Sequence, residues 1–375
     1  MRRVHRSHLP VLALTHPGMR GKNNEDRYGV TAFRLEDANR TPALLAVLCD
    51  GIGGHRAGEV AAEIAVNRIS SVVAEKGDRL PPTDVLQSAI VTASQAIYQQ
   101  AQSNHHQEGM GATCACAFII DHRLYLTNVG DSRAYLLRGD EIRQLSTDHT
   151  WIQEAIEKGV LTPEQAQGHP NTHVIRRFLG SPQPPEVDLR IHLSDDEDDA
   201  TARANQGMQL KGGDLLLLCS DGLTDLVADE EIANALLHQP LQEAADGLVE
   251  LANLRGGHDN ITLITIQVPQ NPQGKRRSPA AWLLVGILVM LLVGLATAVW
   301  AGGFLDKRAL PTSLPTPTVR VTLELPGSRV TQPSPLPLPT STFPPLPTAV
   351  LTPSATAPIS SAATLTPWPT NTRQP

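Results

Sequence analysis

The sequence predicts an α+β domain, then a membrane segment and a tail with no core of its own. Three observations carry that expectation. Two stretches with apolar residues at helical spacing lie between residues 57 and 102. From residue 110 the pattern changes to short apolar strands, one of which turns through Gly139-Asp140 as a hairpin does. Beyond residue 279 an uncharged apolar run gives way to a segment rich in Pro and Thr.

Composition narrows the function. The 375 residues carry a net charge of −7 and only 3% aromatics, which argues against nucleic-acid binding and base-stacking platforms. More than half of the 30 prolines lie beyond residue 309, so one folded domain accounts for the first part of the chain. Cys49, Cys114, Cys116 and Cys219 each sit in an apolar run and read as small buried hydrophobes in a reducing compartment. Their spacing suits neither a zinc site nor a disulfide framework. The basic residues at the N-terminus are not followed by the apolar core of a signal peptide.

Charge concentrates between Gly18 and Arg27, beside an expected strand. Glu25 and Asp26 suit either a solvated loop or carboxylates that support a neighbouring site. Arg20 and Lys22 have the chemistry to meet an anion. The run Ala43 to Cys49 ends in Asp50, and Gly51-Ile-Gly-Gly-His55 follows before a helical pattern begins near Ala57. A carboxylate at a strand end beside permissive glycines suits a metal or phosphate site, and equally a plain strand-to-helix turn.

Ala61, Ile64, Ala65, Ile69, Val72 and Val73 form the apolar stripe of one helix, which Gly77 and Pro81-Pro82 end. Thr83 to Gln102 reads as a second helix. Strands are expected at Met110 to Ile120, Arg123 to Asn128, Ala134 to Leu137 and Glu141 to Leu145, with Asp131 in the turn Val129 to Arg133. Thr147 to Pro185 is polar, and an insertion of that length is more often functional than idle. Its three histidines, His149, His169 and His173, have no metal-ligand spacing, and most of them read as surface residues. The acidic run Asp195 to Asp199 reads as a solvated loop. Asp221 follows a buried strand, Asp214 to Cys219. Helices at Asp229 to His238 and Leu241 to Leu254 come next, and Asp259 opens the last strand, Ile261 to Val268.

Asp50, Asp131, Asp221 and Asp259 thus recur at the edges of apolar runs. In a sandwich of two sheets such edges can meet at one end, where four carboxylates repel one another unless divalent cations bind them. Oxygen ligands without cysteine or a clear histidine select Mg²⁺ or Mn²⁺. Bridged, partly hydrated ions of this kind suit in-line displacement at phosphorus.

Six segments, in order, resemble the motifs of bacterial protein phosphatase 2C, the metal-dependent Ser/Thr phosphatases. They are Asn24-Glu-Asp26, Asp50-Gly-Ile-Gly-Gly-His55, Met110-Gly-Ala-Thr113, Gly130-Asp-Ser-Arg133, Ser220-Asp-Gly-Leu-Thr-Asp225 and Asp259-Asn-Ile-Thr262. The resemblance implies a four-layer α-β-β-α sandwich of two antiparallel sheets and hydrolysis of phosphoSer or phosphoThr by a metal-activated hydroxide. It implies two Mn²⁺ or Mg²⁺ ions with a weaker third. Asp50 bridges two ions, the Gly51 carbonyl completes the first, Asp221 and Asp259 bind the second, and Asp131 shares a third with Asp221. Asp26, with Glu25 beside it, stands near the metal waters. His55 takes the place of the histidine that protonates the leaving oxygen, and Thr147 to Pro185 matches the family's flap. The phosphate-binding arginine normally stands five residues before Asp26. That position is Gly21 here, so the role passes to Arg20, with Lys22 as the fallback. The alternative is a catalytically silent phosphatase-like module that binds or relays a signal; the full set of metal aspartates argues against it.

The domain is expected to span residues 10–268, followed by a basic linker at 269–279. Ala280 to Phe304 is uncharged, and at about 1.5 Å per residue it exceeds the roughly 30 Å hydrocarbon core, so a single transmembrane helix is expected. Trp282 and Trp300 lie near its ends, and Lys275-Arg-Arg277 places the domain in the cytoplasm. The Pro/Thr/Ser-rich remainder, 305–375, is expected to be a disordered tail on the outer side. From the resemblance, the partner is a membrane Ser/Thr protein kinase that the phosphatase opposes.

Overall fold

The computed structural model describes residues 1–21, 23–53, 57–166 and 168–270. The chain begins with β1 (Arg2–Val4), β2 (Val11–His16), β3 (Arg27–Arg34), β4 (Pro42–Cys49) and the short β5 (Gly51–Ile52). Helices α1 (Ala57–Lys76) and α2 (Pro82–Ser103) follow, then β6 (Gly111–Ala112), β7 (Cys114–Ile120), β8 (Arg123–Val129), β9 (Arg133–Arg138) and β10 (Glu141–Gln144). The polar insertion holds α3 (Trp151–Glu157) and α4 (Pro163–Ala166). The chain continues through α5 (Asp199–Ala204), β11 (Met208–Gln209), β12 (Leu215–Cys219), α6 (Asp221–Thr224), α7 (Asp229–His238), α8 (Leu241–Leu254) and β13 (Ile261–Gln267).

Two antiparallel sheets result, in the orders β1-β3-β4-β7-β8-β11 and β10-β9-β12-β13-β2. Their central strands are apolar on both faces, which explains why they read as unbroken runs. Along β4, Ala43, Leu45, Val47 and Cys49 face α1 and α2, whereas Leu44, Ala46 and Leu48 face the second sheet. Along β12, Leu216 and Leu218 meet them from that sheet, while Leu215, Leu217 and Cys219 turn outward against α7 and α8. The layers are therefore α-β-β-α, with one apolar core between the sheets and one under each helical pair. All four cysteines are free and buried among these strands.

Two sequence expectations change in detail. The stretch from Met110 to Ile120 is broken at Thr113, because β6 leaves the main sheet to pair with β5. The acidic run is more than a solvated loop. Asp198 caps α5 by accepting from the Thr201 N–H at 2.8 Å, Glu197 accepts from the Leu193 N–H, and Asp195 and Asp199 pair with Arg143 and Arg190. Ahead of residue 10, Arg2–Val4 already adds an edge strand to the first sheet. Among the described residues no helix is long and apolar enough to cross a membrane; the expected span at 280–304, the linker from 271 and the tail lie outside them.

Candidate active site

Five carboxylates from distant parts of the chain act on one another at one edge of the sandwich. Asp50 leaves β4, Asp131 lies between β8 and β9, Asp221 opens α6, Asp259 precedes β13, and Asp26 precedes β3. Asp50 feels the charges of Asp26, Asp221, Asp131 and Asp259, and burial together with those charges pushes its carboxyl well above the usual range. Burial is also the first cause for the other three shifted groups, with neighbouring carboxylates adding to it. It raises Asp221 to about 6, Asp26 to about 7 and Asp131 to about 8.

Short hydrogen bonds hold these loops together. The Asp50 N–H donates to Thr113 Oγ1 at 3.1 Å, Thr113 N–H returns a bond to the Asp50 carbonyl at 2.8 Å, and the Thr113 and Ser132 hydroxyls meet at 2.7 Å. This chain of contacts ties the Asp50 turn to the Asp131 turn. Ser220 Oγ donates to Asp26 Oδ2 at 2.8 Å and accepts from the Thr262 N–H at 3.0 Å, joining the Asp221 and Asp259 segments to Asp26. Asn260 Oδ1 accepts from the Glu25 N–H at 2.7 Å, which seats Glu25 beside the same cluster. A Cβ on Gly222 would stand 2.0 Å from the Asn260 carbonyl oxygen, so only glycine lets Asp221 and Asp259 approach this closely.

Asp26 Oδ1, Asp131 Oδ1 and Asp221 Oδ1 are buried with no hydrogen-bond partner among the described residues. Buried anionic oxygens left in this state are costly, and divalent cations relieve both the orphaned lone pairs and the mutual repulsion. The donor set is all oxygen, which fits Mg²⁺ or Mn²⁺. The Gly51 backbone lies between Glu25 and Gly58 at the same edge.

Arg20 is exposed and makes no ion pair among the described residues. Its loop is nevertheless anchored. Met19 N–H donates to the Gly257 carbonyl at 2.8 Å, and Gly18 is pressed so close that a Cβ would lie 2.2 Å from the Asp259 carbonyl oxygen. Lys22 and His55 lie outside the described residues.

The flap histidines are not all surface residues. His149 is 4% exposed: its Nδ1 accepts from the Gly130 N–H at 3.1 Å, so Nε2–H donates to Asp188 Oδ2 at 3.1 Å. The backbone of the residue before Asp131 is thus fixed by an imidazole that a carboxylate orients. Asp148 takes three hydrogen bonds from Arg133, and Arg133 also donates to Tyr135. Periodicity carries no trace of His149, because its partner Asp188 is 39 residues away. Asp225 and His173 also reach the cluster. Asp225 was legible as the last residue of the Ser220-to-Asp225 motif and His173 as a flap histidine, but neither was given a role at the site.

A sandwich with a carboxylate cluster of this kind at one edge defines a metal-dependent phosphoester hydrolase. The protein phosphatase 2C profile matches residues 18–155. The Ser/Thr phosphatase stp of Listeria innocua is 34% identical over 249 residues, covering 65% of this chain and 90% of the relative. The Ser/Thr protein phosphatase PstP of Mycobacterium tuberculosis is 34% identical over 261 residues, covering 69% of this chain but 47% of that protein, about half its length. A crystal structure of the PstP catalytic domain in complex with two manganese ions superposes with a TM-score of 0.53 at 33% identity, covering 70% of this chain and 98% of the other. The chain belongs to the protein phosphatase 2C family.

Proposed function

We propose that this chain is a membrane-anchored, metal-dependent protein Ser/Thr phosphatase that opposes a membrane Ser/Thr kinase. The observation that carries the reading is the convergence of Asp26, Asp50, Asp131, Asp221 and Asp259, with three buried carboxylate oxygens unpartnered. Asp50, the Gly51 carbonyl, Asp221 and Asp259 would hold two divalent ions, and Asp131 with Asp221 a third. When bound, such ions lower the pKa of water toward neutrality and offset phosphoryl charge. Arg20, on the loop seated against Asp259, would bind the phosphate oxygens of the substrate. Asp26, buried and held by Ser220, stands ready to accept a proton from water at the cluster. His55 would protonate the departing serine or threonine oxygen.

The anchoring rests on the uncharged run 280–304 and the basic residues before it. A cytoplasmic domain agrees with four free cysteines. In Mn²⁺, the full chain is expected to release phosphate from a phosphothreonine peptide. Asp221→Asn should retain the fold by circular dichroism and lose roughly 100-fold or more of the turnover. Undiminished turnover in that variant would remove the site assignment.

A further inference from the structure

A second concave surface borders the Arg20 loop on the side away from the flap. β2 is the outer strand of its sheet, and α8 packs against it. Between them lies a cavity of about 380 Å³. Leu14, Met19, Val249 and Leu254 supply its apolar lining, and Asp246 and Glu250 stand along its helical side. Met19 is 64% exposed and Leu254 78%. Large apolar side chains left open to water around one cavity mark a surface that binds something.

The cavity wall is fixed in advance. His16 Nδ1, at the end of β2, accepts from the Gly18 N–H at 3.0 Å and from Asn253 Nδ2 at 3.3 Å, which joins strand, loop and helix. Met19 N–H is bonded to the Gly257 carbonyl, two residues before Asp259. Met19 also immediately precedes Arg20, so one anchored loop carries both the cavity lining and the candidate phosphate ligand. Asp246 and Glu250 are exposed, and neither is in an ion pair among the described residues. A positive charge on the occupant would complement them. An extended segment laid along β2 would meet the unpaired backbone N–H and C=O groups that the outer edge of a sheet presents.

We infer that this groove docks a segment of the phosphoprotein substrate itself. The segment is extended, with a leucine-sized apolar side chain in the cavity and a basic residue facing Asp246 and Glu250. The inference rests on Arg20 as the phosphate ligand. At about 3.3 Å per residue, the reach of an arginine side chain places the apolar residue roughly two to four positions from the phosphorylated one. The groove lies apart from the reacting atoms, so its contacts persist through the reaction and act on KM more than on kcat.

The test is a set of phosphothreonine peptides in an alanine background, with a single leucine moved stepwise through the positions on either side of the phosphothreonine. With the full chain in Mn²⁺, one position is expected to raise kcat/KM about tenfold over the all-alanine peptide, through KM. In Leu254→Asp the same peptide should fall to within about twofold of the all-alanine one. Leu254 is too exposed for its replacement to disturb the core. Fluorescence anisotropy of the labelled peptides should rank them in the same order, independently of turnover. Arg20→Ala, expected to raise KM for every peptide alike, tests the phosphate reading separately, because the leucine preference is a ratio within the wild type. Equal kcat/KM for all the peptides in the wild type, or a leucine preference that survives in Leu254→Asp, would overturn the groove.

Discussion

Asp221 shows how a single side chain is tuned by what surrounds it. Burial, then the charges of Asp225 and Asp259, raise its pKa from the ordinary carboxylate value to about 6. A group whose folded pKa is raised binds protons more tightly in the fold, so its favourable contribution is complete at acid pH and is lost as pH rises through 6. Without metal, Asp221→Asn should match the wild type in melting temperature only below the unfolded value near pH 4, and exceed it at pH 8. With Mn²⁺ at pH 8 the order should reverse, because the variant loses a ligand. Equal melting curves for the two metal-free proteins at pH 8 would contradict the electrostatic reading. Gly18 illustrates a steric constraint at the same scale. Its φ of +73° and the 2.2 Å approach of a Cβ to the Asp259 carbonyl leave no room for a side chain. Gly18→Ala should cost about 1 kcal/mol or more and raise KM for a phosphopeptide more than it lowers kcat, because the loop carries Arg20. An unchanged KM would separate Arg20 from phosphate binding.

The flap is joined to the core at its first turn by His149, Asp188 and Arg190. Burial of Asp188 opposes its charge, but hydrogen bonds from His149 and Arg190 outweigh it and hold the carboxyl well below the usual range. A depressed pKa contributes stability above the unfolded value near 4, and this is lost as pH falls further. Asp188→Asn is therefore expected to cost about 3 kcal/mol at pH 7 in denaturant unfolding, with the deficit shrinking below pH 4. A deficit independent of pH would mean packing alone. The elements themselves were largely legible: α7 and α8 match the helices read from periodicity, and β4 and β12 the apolar runs. So were the aspartates at strand ends. What could not be read were pairings across long sequence distances. His149 with Asp188, His173 with Asp225 and Ser220 with Asp26 exist because the second sheet folds over the first, and local spacing holds no record of that.

At the scale of the whole molecule, the two sheets bring the edges of five segments together, and the anchoring proposed above rests on sequence alone, the uncharged run 280–304 and the basic residues before it. Removing residues 271–375 should move the protein from the membrane fraction to the soluble fraction, and a chain that sediments with membranes after that truncation would contradict the anchor. The central claim concerns the cluster. Its most direct test is hydrolysis of a phosphothreonine peptide by the full chain, with Mn²⁺ and with chelator, beside Asp50→Asn. Turnover that requires Mn²⁺ and disappears in the variant is the expected result. Turnover that persists in chelator, or in folded, metal-replete Asp50→Asn, would contradict it.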